Sequence, residues 1–175
     1  NHDHNSQIFE NDGTGHYTEI TASTGIDLTT MTPIESTIED FDNDGYGDLL
    51  ISGSTSVLYH NNGNMTFTRL DNMFDSNSML SFATGDLNHD GRIDLFASYG
   101  TIYNNPTNID DAVWMNLTHN DNNFITFDLR GTTSNKGAIG GRVTIYGAWG
   151  IQVKEVRAGD NYGTTNSAQL HFGIG

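Results

Sequence analysis

Two short stretches of the chain place oxygen-bearing side chains at alternate positions. Asp40, Asp42, Asp44 and Asp48 form the first, and Asp86, Asn88, Asp90 and Asp94 repeat it 46 residues later. Both follow the pattern Asp-x-[Asp/Asn]-x-Asp-Gly-x-x-Asp. Ca²⁺ is a hard cation that takes six to eight oxygens at about 2.3–2.6 Å. Side chains at positions 1, 3 and 5 can reach one ion only if the backbone wraps around it. Gly45 and Gly91 permit the required sharp turn, which brings the next carbonyl, from Tyr46 or Arg92, to face inward. Asp48 and Asp94 then close the shell from the start of the following strand. The expected cofactor is Ca²⁺ at two sites. Its ligands are Asp40, Asp42, Asp44, Tyr46 and Asp48 in loop one, and Asp86, Asn88, Asp90, Arg92 and Asp94 in loop two.

An ion-free acidic turn would crowd four carboxylates of loop one into a few ångströms, at a cost of several kcal/mol or forced protonation. An EF-hand needs a bidentate Glu at loop position 12 and flanking helices. Position 12 is Ile51 in one loop and Ala97 in the other, both inside strand-like runs. Mg²⁺ keeps its waters and seldom sits in an all-protein carboxylate cage. Loop two, with Asn88 in place of a carboxylate, is expected to bind more weakly than loop one.

The elements around the loops repeat as well. Each loop leads into an apolar strand, Leu49–Ser52 or Leu95–Ser98. After loop one follow a strand at Val57–His60, an Asn/Gly turn at Asn61-Asn62-Gly63 and a strand at Thr66–Leu70. Asn-Gly between β-rich runs is a strong hairpin signal. The hairpin element is anticipated at Phe9–Gly13 with Tyr17-Thr18, and it is read again, shortened, at Tyr103-Asn104-Asn105. A period in the forties with several short strands is the spacing of a propeller blade.

Composition narrows the function classes. The 175 residues hold 22 acidic and 7 basic side chains, for a net charge of -15, which disfavours nucleic acid and anionic membranes as partners. No run approaches the roughly 18 apolar residues of a membrane span. The chain has no cysteine, so there are no disulfides and no thiolate metal sites. Twenty glycines with many Asn, Thr and Ser residues read as a turn-rich β protein.

The loops and the downstream Asn-x-Gly-x-x-x-Phe element resemble the FG-GAP/VCBS calcium-binding repeats of integrin α-subunit β-propellers and bacterial surface proteins, over roughly residues 7–105. That resemblance implies structural calcium between strands and no catalysis. Further on, Ser134–Val143 and Leu170-His171-Phe172-Gly173-Ile174-Gly175 resemble the ASPIC/UnbV domain, with strand-like runs at Phe124–Leu129, Val143–Tyr146 and Ile151–Arg157. In that family a further strand follows the Phe-Gly-Leu-Gly motif, so the repeats and the domain are expected to be completed by flanking chain or by a neighbouring subunit.

The expected fold is all-β. Propeller-blade-like antiparallel repeats with Ca-binding loops fill residues 1–105, a linker or edge segment 106–123, and a small β-sandwich or barrel-like domain 124–175. The expected function is an extracellular, secreted or cell-surface, calcium-stabilised structural or adhesion module without catalytic residues. Its partner would be a protein or glycan at the cell surface. Two other readings stay open: a subunit of an extracellular filament or sheath that forms homo-oligomers by strand-edge pairing, and an accessory domain of a carbohydrate-active protein. His2-Asp3-His4 reads as a polar tail, and His16, His60, His89, His119 and His171 form no triad that the sequence supports. Trp114 and Trp149 read as core or strand-face residues. Asn64-Met65-Thr66 and Asn116-Leu117-Thr118 are glycosylation sequons.

Overall fold

The computed structural model describes residues 6–101 and 105–175, without the side chains of residues 101, 105 and 106. His2-Asp3-His4 and the pair Tyr103-Asn104 lie outside the described residues. The protein is almost entirely β. A hairpin, β1 (Phe9–Asn11) and β2 (Tyr17–Glu19), is followed by one helical turn, α1 (Thr21–Thr24), which ends on Gly25 in the left-handed conformation.

The next four strands form one antiparallel sheet in the order β3 (Pro33–Glu39), β4 (Asp48–Gly53), β5 (Val57–Asn61), β6 (Phe67–Leu70). This meander has the build of a propeller blade. A second sheet starts with β7 (Met79–Gly85) and β8 (Asp94–Thr101), each 46 residues after its counterpart β3 or β4. The short β9 (Asn105–Pro106) pairs with the end of β8, and β10 (Ala112–Trp114) pairs with its start. The edge strands β3 and β7 are not announced by local pattern: Pro-Ile-Glu-Ser-Thr-Ile-Glu carries a proline and two charges yet lies half-buried against β4.

The core explains the sequence of β4. Leu50 joins Leu58, Met79, Phe82, Leu95, Ala97 and Tyr99 between the two sheets. Ile51 points the other way, into a cluster with Ile26, Val57 and Tyr59 under the N-terminal segment. A strand buried on both faces needs a continuous apolar run, and Leu49-Leu50-Ile51 supplies it.

In the C-terminal part, β11 (Phe124–Phe127) pairs with β14 (Leu170–Gly173), and β12 (Arg142–Gly147) pairs with β13 (Gly150–Glu155). These two ribbons enclose Val156, Leu170 and Phe172, with Phe127 edge-on to Phe172. Residues 158–168 run along the free edge of β7. Asn166 Oδ1 accepts from the Thr84 N–H, Ser167 N–H donates to the Thr84 carbonyl, and Asn161 Nδ2 donates to the Phe82 carbonyl. Glu35, on β3, accepts the N–H groups of Phe82 and Tyr162 with its two oxygens. Side chains and loop backbone thus occupy an edge that would otherwise template another strand.

Candidate metal centre

Both acidic loops connect the first strand of a sheet to the second, and both fold alike. In loop one Asp40 accepts the N–H groups of Asp44 and Gly45, Asp42 also accepts that of Asp44, and Asp44 accepts that of Tyr46. In loop two Asp86 accepts from Asp90 and Gly91, Asn88 from Asp90, and Asp90 from Arg92. The fourth position is left-handed in both, at Asn43 (φ 62°) and His89 (φ 61°), and Gly45 (φ 95°) and Gly91 (φ 83°) follow it. The side chains at positions 1, 3 and 5 are thereby gathered on the inside of one turn.

Position 9 ties each loop to the sheet. Asp48 accepts the N–H of Phe41 within the loop and of Asn61 on β5. Asp94 accepts the N–H of Leu87 and of Asn116. Asn61 and Asn116 are therefore counterparts, as are Tyr59 and Trp114, which pair with Leu49 and Leu95. The second hairpin strand accordingly lies 55 residues after the first, within the stretch expected as linker or edge segment. A longer connection after β8 displaces it, and that connection hid the register from sequence reasoning. Trp114 packs edge-on to Phe74 and donates to the Tyr99 hydroxyl.

Ligand atoms of Asp40, Asp42 and Asp44 lie within 4.8 Å of one another, and so do those of Asp42, Asp48 and His60. This crowding has an electrostatic signature. Burial, reinforced by the neighbouring carboxylates, pushes Asp40 up to about 7. Burial likewise raises Asp48 to about 6, and Asp44 is raised from the same first cause. In loop two, by contrast, Asp90 is held below the usual carboxylate range, chiefly by the Asn88 amide. A pocket that disfavours its own ionised form unless a positive charge enters suits a divalent cation, and its oxygen donors are those that Ca²⁺ prefers.

The C-terminal part packs directly on these loops. A Cβ on Gly45 would meet Trp149 at 2.9 Å, and one on Gly173 would lie 2.5 Å from the Asn43 backbone. A Cβ on Gly91 would overlap the Phe124 ring. Three successive loop-one carbonyls are engaged from outside the loop: Phe41 by the Asn116 amide, Asp42 by the Asn120 and Asn122 amides, Asn43 by the Gly175 N–H. The buried Asn43 side chain donates to the Gly91 carbonyl of loop two and meets His171 Nε2 at 2.7 Å. His171 stacks on Phe124, and burial holds it down at about 4, so it is neutral. Sequence reasoning assigns Asn43 no role and His171 only its place in the Leu170–Gly175 motif; for Asn43 the left-handed position before Asp-Gly was the available signal. The Asn116 sequon has its amide committed to Phe41 and Ile93 carbonyls, whereas Asn64 is exposed.

A cleft of about 580 Å³ separates β3 from β13, bridged by the Glu39–Lys154 ion pair. Four amides that line it, Asn61, Gln152, Asn161 and Asn166, already bond to backbone groups. This is the chemistry of a seam between two packed parts.

Two sheets of matching register, each carrying the same loop, decide the relationship for the first part. Residues 40–97 match the family profile of the FG-GAP-like repeat, and residues 131–175 match that of ASPIC and UnbV. The chain joins an FG-GAP-like repeat to an ASPIC/UnbV domain. No curated protein matches it. In the FG-GAP-like repeat both acidic loops lie inside the matched segment. The ASPIC/UnbV segment begins at Gly131, after β11.

Proposed function

We propose that this chain is a calcium-stabilised, non-catalytic structural or adhesion module of an extracellular protein, with one Ca²⁺ in each acidic loop. FG-GAP repeats are typical of extracellular proteins and typically bind Ca²⁺, which supports both the ion and the compartment. The observation that carries the reading is loop one itself. Four aspartates surround one turn, and two of them are raised to about 7 and about 6 by burial and mutual repulsion. A divalent cation relieves that repulsion and binds the folded loop in preference to the unfolded chain, so its binding energy adds to stability. At a thousandfold excess over Kd the gain is about 4 kcal/mol. Asp40, Asp42, Asp44 and Asp48 with the Tyr46 carbonyl would hold the first ion. Asp86, Asn88, Asp90 and Asp94 with the Arg92 carbonyl would hold the second.

Thermal melts in EDTA and in millimolar Ca²⁺ test the proposal. It expects a rise of several degrees with calcium, and superimposable melts would defeat it. Adhesion is tested separately, by binding of the calcium-loaded chain to arrays of cell-surface glycans and matrix proteins.

A further inference from the structure

We infer that His60 is a nitrogen ligand of the first loop, and that it gives this loop a capacity for first-row transition cations such as Co²⁺ or Zn²⁺ that Met115, at the matching position, does not give the second. The inference rests on the proposal that the loops hold cations.

His60 stands on β5, one residue before the Asn61 N–H that anchors Asp48. Its side chain reaches over loop one. Nδ1 lies 3.2 Å from Asp48 Oδ1 and 3.4 Å from Asp42 Oδ2, and Nε2 lies 4.0 Å from Asp44 Oδ2. Donors bound at about 2.0–2.2 Å to one metal stand roughly 3.0–3.4 Å apart at octahedral to tetrahedral angles. Nδ1 has that spacing from both carboxylates. Two carboxylates and an imidazole form a donor set that suits Co²⁺ and Zn²⁺ better than an all-oxygen set does.

Among the described residues, no such nitrogen stands at the matching position of loop two. The register that equates Asn61 with Asn116 and Tyr59 with Trp114 puts Met115 at the position of His60. His89, the histidine inside loop two, occupies the left-handed fourth position and is exposed, where Asn43 of loop one is buried and turned toward Gly91 and His171. The two loops thus place oxygen ligands at the same positions, with Asn88 in place of Asp42, and differ in the side chain that reaches over them, His60 or Met115.

The test titrates the full chain with Co²⁺, followed by its visible absorption, and with Ca²⁺, followed by calorimetry. Wild type, His60→Gln, Asp90→Asn and Met115→His are compared. The expected result is one tight Co²⁺ equivalent in wild type, with a spectrum of nitrogen ligation that Asp90→Asn leaves intact. His60→Gln should weaken Co²⁺ by at least about 10–100-fold, the loss already seen when only the groups that orient a ligand are removed. Its Ca²⁺ affinity should change far less, which also shows that the variant is folded. Met115→His should create a second tight Co²⁺ equivalent. Unchanged Co²⁺ affinity and spectrum in His60→Gln, with Ca²⁺ still bound, would overturn this inference alone. Absence of any Ca²⁺ or Co²⁺ binding to wild type would overturn it together with the proposed function.

Discussion

Removing calcium should make stability fall as pH rises from 6 to 8. Asp40 and Asp48 have folded-state values of about 7 and about 6, raised by burial from the ordinary 3.8. A carboxyl raised in the folded state is favoured protonated there, so its contribution to stability is present at low pH and is lost as pH climbs through the folded value. Across this window Asp40 accounts for a loss on the order of 1 kcal/mol and Asp48 for a fraction of that. His171 works in the opposite sense. Burial lowers it from 6.5 to about 4, so the folded state resists its protonation, and raising pH from 6 to 8 returns less than ~1 kcal/mol. The net loss is on the order of 1 kcal/mol, which lowers Tm by about 2–4 °C in a chain of this size. Saturating Ca²⁺ keeps the loop carboxylates ionised throughout and should remove the fall. Scanning calorimetry at pH 6 and 8, in EDTA and in millimolar Ca²⁺, checks this. A fall of equal size with and without calcium, or a rise in EDTA, would refute the reasoning.

Asp44→Ala should cost more Ca²⁺ affinity in calorimetric titration than Asn88→Ala, because Asp44 brings a charge to the centre of its loop and Asn88 only an amide oxygen. Gly91→Ala strains a backbone at φ 83° and drives a methyl into Phe124. A loss of about 2 kcal/mol or more is expected in urea unfolding, with earlier proteolysis of the C-terminal ribbons. Asn43→Ala removes the bond to the Gly91 carbonyl and the contact with His171 at a left-handed position. Unfolding free energy should drop by about 2–3 kcal/mol, and calcium should still bind.

The all-β class, the second strand of each sheet and the two loops were legible because they are written in local pattern. Asp and Gly at fixed offsets fold the turn, and Leu49-Leu50-Ile51 announces a strand buried on both sides. The first strand of each sheet was not legible: Pro33–Glu39 and Met79–Gly85 owe their pairing to β4 and β8, and no local period betrays it. The counterpart of Asn61 in the second sheet was not legible for a related reason. Tyr103-Asn104-Asn105 matches the motif in residue type, but the hydrogen bond that identifies the position comes from Asn116, beyond a longer connection. The packing of the C-terminal part on the loops was invisible too. It depends on Trp149 against Gly45, Phe124 against Gly91 and His171 against Asn43, pairs separated by scores of residues.

The metal stoichiometry of the two loops tests the account most directly. Calcium titrated calorimetrically into the chelator-treated chain should fill two sites, with Asp44→Ala abolishing the tighter and Asp90→Ala the weaker. A chain that takes up no calcium, or that still binds two equivalents after both substitutions, would contradict it.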